Sequence, residues 1–123
     1  MKKMILVGFC LLVTLKVGAA MASIKNEMKI IASDLKTISL SINNPSSNSS
    51  NIVLAEKIMA SFQSIRDLNP LGGNLIEYQD LIDQEIVLFS ELKKNLTAGD
   101  QKAALATLDQ INVVKKEGHN KFK

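Results

Sequence analysis

The stretch Leu92-Lys93-Lys94-Asn95-Leu96-Thr97-Ala98-Gly99-Asp100-Gln101-Lys102-Ala103-Ala104-Leu105 stops one helix and starts the next with almost no chain between them. Leu92 and Leu96 share one helical face. Gly99 supplies the left-handed residue that closes a helix, and Asp100 is an N-cap for the helix that follows. So short a connection joins antiparallel neighbours, and the fold is built outward from that hairpin.

Upstream, the helix that ends at Gly99 starts at Asn74, an N-cap with Glu77 three residues later, so that each side chain can satisfy the other's free backbone N–H. Its apolar side carries Leu75, Tyr78, Ile82, Phe89, Leu92 and Leu96. Asn69-Pro70 and Gly72-Gly73 end a preceding helix over about Ile52 to Leu68, whose apolar side holds Leu54, Ile58, Met59, Phe62, Ile65 and Leu68. A first helix over about Ser23 to Asn43 shows one seam, Ile24, Met28, Ile31, Leu35, Ile38 and Ile42, in alternating steps of four and three. Asn43-Asn44-Pro45 and the Ser/Asn stretch to Asn51 read as the loop between these two helices. Downstream of Asp100, Leu105, Leu108, Asn112, Lys115, His119 and Phe122 mark a last helix running to the C-terminus. The pattern predicts an all-α fold, an antiparallel up-down-up-down four-helix bundle over residues 23–123.

Residues 1–22 read differently. Met1-Lys2-Lys3 is a charged start, Met4 to Leu15 is an apolar run of 12 residues, and Ala20-Met21-Ala22 is a small-x-small cleavage signature. The pattern predicts a secretory signal peptide cleaved after Ala22. A membrane anchor needs about 20 apolar residues, and Lys16 interrupts the run. Of the 15 Lys and Arg, three fall in this segment, which holds none of the 12 acids. The remaining domain is therefore electrically neutral, which removes the basic surplus that nucleic-acid binding needs. Cys10 leaves with the segment, so disulfide, thiolate, iron-sulfur and covalent c-type haem chemistry are all excluded from the exported domain.

The composition, 46% hydrophobic with no Trp, one Tyr and four Phe, favours an aliphatic helical core. The single histidine, His119, lies four residues from the C-terminus, and Met28 lies five residues in from Ser23. In an up-down-up-down bundle these two ends coincide, and at about 1.5 Å per residue the depths differ by only about 1.5 Å. A thioether and an imidazole opposed across a bundle take both axial positions of haem iron in some electron carriers. The competing reading is that Met28 is core filler and His119 a surface residue near a helix C-terminus.

Asn26-Glu27-Met28, Leu35-Lys36, Leu96-Thr97-Ala98-Gly99 and the terminal His119-Asn120-Lys121-Phe122-Lys123 resemble the soluble cytochrome b562 family over essentially all of residues 23–123. The resemblance implies a periplasmic electron carrier, monomeric and free of the membrane after signal cleavage. It also implies one non-covalent haem b per chain, with Met28 and His119 as the axial ligands of the iron. Tyr78 and Ile82 fall where that family has two phenylalanines against the haem, and Gly118 falls where it has a tyrosine.

Lys115, Lys116, Lys121 and Lys123 cluster at the same end. They either offset the helix C-terminus or, under the resemblance, balance haem propionates or dock an acidic redox partner. With one His, no Cys outside the signal segment and no spaced acid-base pair, the usual catalytic constellations cannot be assembled, and the reading is a protein that is not an enzyme. The alternative function is a haem-free exported helical bundle acting as an interaction or stress-response module.

Overall fold

In a computed structural model the backbone of residues 2–68 and 74–121 is described, and the side chains of residues 22–68 and 74–121. Four helices, α1 (Lys2–Ser41), α2 (Asn48–Ile65), α3 (Leu75–Thr97) and α4 (Gln101–Lys121), form an antiparallel four-helix bundle, with a short 3-10 turn at Pro45–Ser47. Packing runs in chain order, α1 on α2, α2 on α3 and α3 on α4.

The hairpin at Gly99 is formed as its residues dictate. Gly99 has φ of +72°, and Asp100 Oδ1 accepts from the Ala103 N–H at 3.0 Å. Asn74 Oδ1 likewise accepts from the N–H groups of Ile76 at 2.9 Å and Glu77 at 3.2 Å. The Asn69-Pro70 and Gly72-Gly73 stop lies outside the described residues.

Three boundaries or faces differ from the sequence reading. First, α1 does not begin at Ser23 but runs unbroken from Lys2. The Ala-Ala-Met-Ala junction contains strong helix formers and nothing to stop a helix. Second, Asn48 to Asn51 are the first turn of α2 rather than loop. Asn44 accepts from the Ser46 N–H at 3.2 Å and Pro45 presets the backbone for a tight turn, so the polar run folds onto the helix start. Asn51 is thereby buried, with Ser41 Oγ donating to its Oδ1 at 3.0 Å. Third, α4 is rotated relative to the expected seam. Ala104, Thr107, Leu108 and Ile111 are buried, whereas Leu105 and Asn112 are exposed. Small Ala104 is fully buried, and polar Thr107 is satisfied there by Asn95 Nδ2, which donates to its Oγ1 at 2.7 Å.

The core follows the remaining seams. Ile31, Leu35, Ile38 and Ile42 of α1 and its flank meet Ile58, Phe62 and Ile65 of α2, and Phe62 tilts against Phe89 of α3 with ring centroids 6.1 Å apart. Ala55 at 0% exposure lets the helices approach closely. Outside the core, Arg66 grips Asp83 with both nitrogens, Nε to Oδ1 at 2.6 Å and Nη2 to Oδ2 at 2.9 Å, which joins α3 to the residue that follows α2.

The two glycines of the last hairpin should respond oppositely to alanine. At Gly99 a Cβ meets nothing within 4 Å, so the cost is the left-handed backbone alone, about 1–2 kcal/mol. At Gly118 the backbone is helical and a Cβ would sit 3.9 Å from Leu81 Cδ1, so Gly118→Ala should stabilise by up to about 1 kcal/mol. Urea unfolding of both variants checks the pair of signs.

Candidate functional site

At the end of the bundle opposite the Gly99 turn, α1 and α4 do not pack closely, and a cavity of about 420 Å³ separates them. That volume lies within the roughly 300–1,000 Å³ of small-molecule sites. From α1 it is lined by Ile24, Met28, Ile31 and Leu35, and from α2 by Phe62. Tyr78, Leu81, Ile82 and Glu85 form the α3 wall, and Val114, Lys115, Gly118 and His119 the α4 wall. All five residues singled out from the sequence, Met28, His119, Tyr78, Ile82 and Lys115, therefore meet in one space.

Their exposures differ by role. Tyr78 and Ile82 are buried at 4% each, whereas Met28 at 38% and His119 reach the surface at the rim. Tyr78 Oη donates to the Ile65 carbonyl at 2.5 Å, so its ring is fixed as a wall and its hydroxyl is tied to α2. Burial pushes that phenol up to about 12.

Helix register relates Met28 to His119. At the turn end, Gln101 Nε2 donates to the Ile42 carbonyl. Counting from that tie at about 1.5 Å per residue, Met28 lies about 21 Å away and His119 about 27 Å, an offset of about one helical turn rather than the near-level match expected. Side chains on a helix lean toward its N-terminus, so Met28 leans toward the His119 end and His119 leans back toward the level of Met28. The lean of each residue reduces the offset.

One cavity residue was missed. Glu85 is 6% exposed and sits on the α3 seam between Ile82 and Phe89, at the same three-and-four spacing. Its Oε1 has no hydrogen-bond partner. Burial pushes the carboxyl up to about 8, with Lys115 pulling in the other direction. The signal available in the sequence was a charged residue in register with an otherwise apolar seam.

Among the described residues no three His, Cys, Asp or Glu side chains converge to hold a metal ion. No helix among them is long and apolar enough to cross a membrane. A wider groove of about 660 Å³ between α3 and α4 has a floor of Val87, Leu88 and Val113 and shares Val114 with the cavity. It holds none of the residues singled out above.

Glu85 gives the fold a pH dependence with a defined sign. A carboxyl raised to about 8 in the folded chain keeps its proton where the unfolded chain, near its ordinary value of about 4.3, has lost it. Stability is therefore full below about pH 4 and falls as pH rises toward 8. The loss is about 4 kcal/mol by pH 7. Glu85→Gln should match the parent near pH 4 and exceed it at pH 8 in urea unfolding followed by circular dichroism. Equal stabilities at pH 8 would show that the carboxyl is solvated.

Compared with protein-family models, curated proteins and solved structures, the chain gives no match, so the functional reading rests on the cavity and on the residues that line it.

Proposed function

We propose that the protein is an exported one-electron carrier that holds one non-covalent haem b, with Met28 and His119 as the axial ligands of the iron. The observation that carries this reading is that the chain's only histidine and Met28 line one apolar cavity from opposite walls, α4 and α1. The donor set fits the group: a thioether and an imidazole are an established axial pair for haem iron. The walls fit it as well, since Tyr78 and Ile82 offer buried apolar surface and Lys115 stands at the rim to meet the propionates.

A bound haem would supply reversible one-electron chemistry at its iron. This chain's residues set its conditions. Met28 would offer a soft, weakly donating sulfur that favours the ferrous state, and His119 an imidazole nitrogen that donates more strongly. If both residues held the iron, no position would be left on it for a substrate, which favours a carrier over an enzyme. The exposed Lys115, Lys116 and Lys121 give an acidic redox partner a surface to meet. Residues 1–22 fit a signal peptide that delivers the domain to the periplasm.

One observation favours the haem-free alternative, an exported bundle acting as an interaction or stress-response module. Glu85 places a buried carboxyl in the same wall. An absorption spectrum after expression with haem supplied separates the two readings.

Two substitutions test the ligands individually. His119 is exposed, so His119→Ala should leave the helical circular dichroism unchanged while abolishing the six-coordinate low-spin spectrum and weakening haem binding more than tenfold, over about 1.4 kcal/mol. An unchanged spectrum would remove His119 from the iron. Met28→His, once its spectrum shows two bound imidazoles, should lower the midpoint potential, because the second imidazole stabilises the ferric state. An unchanged potential in that variant would mean that Met28 is not a ligand.

A further inference from the structure

The cavity contains an acceptor that the haem reading does not use. Glu85 is 94% buried by the complement of its 6% exposure, it lines the cavity, and its Oε1 lacks any hydrogen-bond partner. Lys115 acts on its charge from α4 but leaves that oxygen unpaired. The rest of the inner end is hydrocarbon, from Ile31 and Leu35 on α1 and Phe62 on α2.

We propose that this cavity, when it holds no haem, binds a lipophilic tertiary amine in its ammonium form: the Glu85 carboxyl passes its proton to solvent as the cation enters, the single N–H donates to Oε1 of the resulting carboxylate, and the alkyl groups fill the apolar space. The match is one of number as well as charge. A buried carboxyl without a donor is costly, and a cation without a counter-charge is costlier still, so each offsets the other. A primary ammonium brings three N–H groups to a site with one orphaned acceptor, and two of them would lose water without replacement. A tertiary ammonium brings one. The oxygen is closed to solvent as it stands, but the terminal torsion of a glutamate is broad, so it can face the cavity without a change of rotamer class. The site stands whether or not haem binds, and a bound haem would exclude the amine.

Calorimetric titration of the haem-free full chain at neutral pH tests this with three probes that share one tail: N,N-dimethyloctylamine, octyltrimethylammonium and 1-octanol. The tertiary amine should bind at least tenfold more tightly than either control, because the quaternary ion keeps the charge but lacks the N–H and the alcohol lacks the charge. Glu85→Gln, shown to be folded by circular dichroism, should reduce the amine to the level of the alcohol. In the parent protein the carboxyl carbon resonance of Glu85 should move on addition of the amine and stay fixed on addition of octanol, a readout that does not depend on the variant folding. Equal affinity for amine and alcohol, equal affinity for tertiary and quaternary ions, an amine preference retained in the folded Gln variant, or a stationary Glu85 resonance would each overturn the proposal. Haem uptake by the same preparation is measured separately and bears only on the electron-carrier reading.

Discussion

A ladder of side-chain amides at one end of the bundle sets the register of the helices. Asn48 Nδ2 donates to Gln101 Oε1 at 2.8 Å and to the Leu96 carbonyl at 3.3 Å, and Gln101 Nε2 in turn donates to the Ile42 carbonyl. The start of α2, the end of α3, the start of α4 and the residue after α1 are thereby held at one level. Backbone carbonyls at helix ends need partners, and here the Ile42 carbonyl is met by a side chain of another element. Because helices rise by a fixed amount per residue, pinning one end fixes which residues share a level at the other. The meeting of Met28, Glu85 and His119 in one cavity is a consequence of that distant tie.

The same asymmetry explains why the cavity lies where it does. Near the tie, Ile38, Ile42, Ala55, Phe89, Leu92, Leu96 and Ala104 are all within a few per cent of full burial. Toward the other end α4 turns polar, with Lys115, Lys116, Glu117 and Asn120. Gly118 faces Leu81 with no side chain of its own. A helix that supplies neither bulk nor hydrocarbon over its last two turns cannot fill the space opposite α1. The opening is thus a property of α4's composition, and it leaves Ile24 only half-buried.

Much of the architecture was legible in the residues because it depends on local chemistry. Gly99, Asp100 and Asn74 each act on their own backbone or that of the next turn, and each does in the structure what its side chain dictates. What was not legible depended on distant partners. Asn48 and Asn51 looked like loop because amides favour loops in isolation. They are helical because Leu96, Gln101 and Ser41, ten to fifty-three positions away, accept or supply their hydrogen bonds. The buried face of α4 departs from its apolar pattern for a related reason. Ala104 and Thr107 carry little hydrophobic signal, and their burial follows from close helix approach and from Asn95 rather than from their own transfer free energy.

Glu85 belongs to a third kind of residue, visible in the sequence but contrary to the pattern around it. On α3 the seam runs Tyr78, Ile82, Glu85, Phe89, Leu92, Leu96 in unbroken steps of four and three. Five of the six are apolar, so the helix buries that face whatever stands at the remaining position. Burying the carboxylate without a donor costs several kcal/mol, more than one apolar neighbour returns, and the chain as folded answers by holding the proton. A leucine at this position would avoid that cost entirely. Where local preference and global fold disagree in an otherwise consistent sequence, the disagreement points toward function. Here it falls on the wall of the one cavity in which the sequence-derived ligands meet.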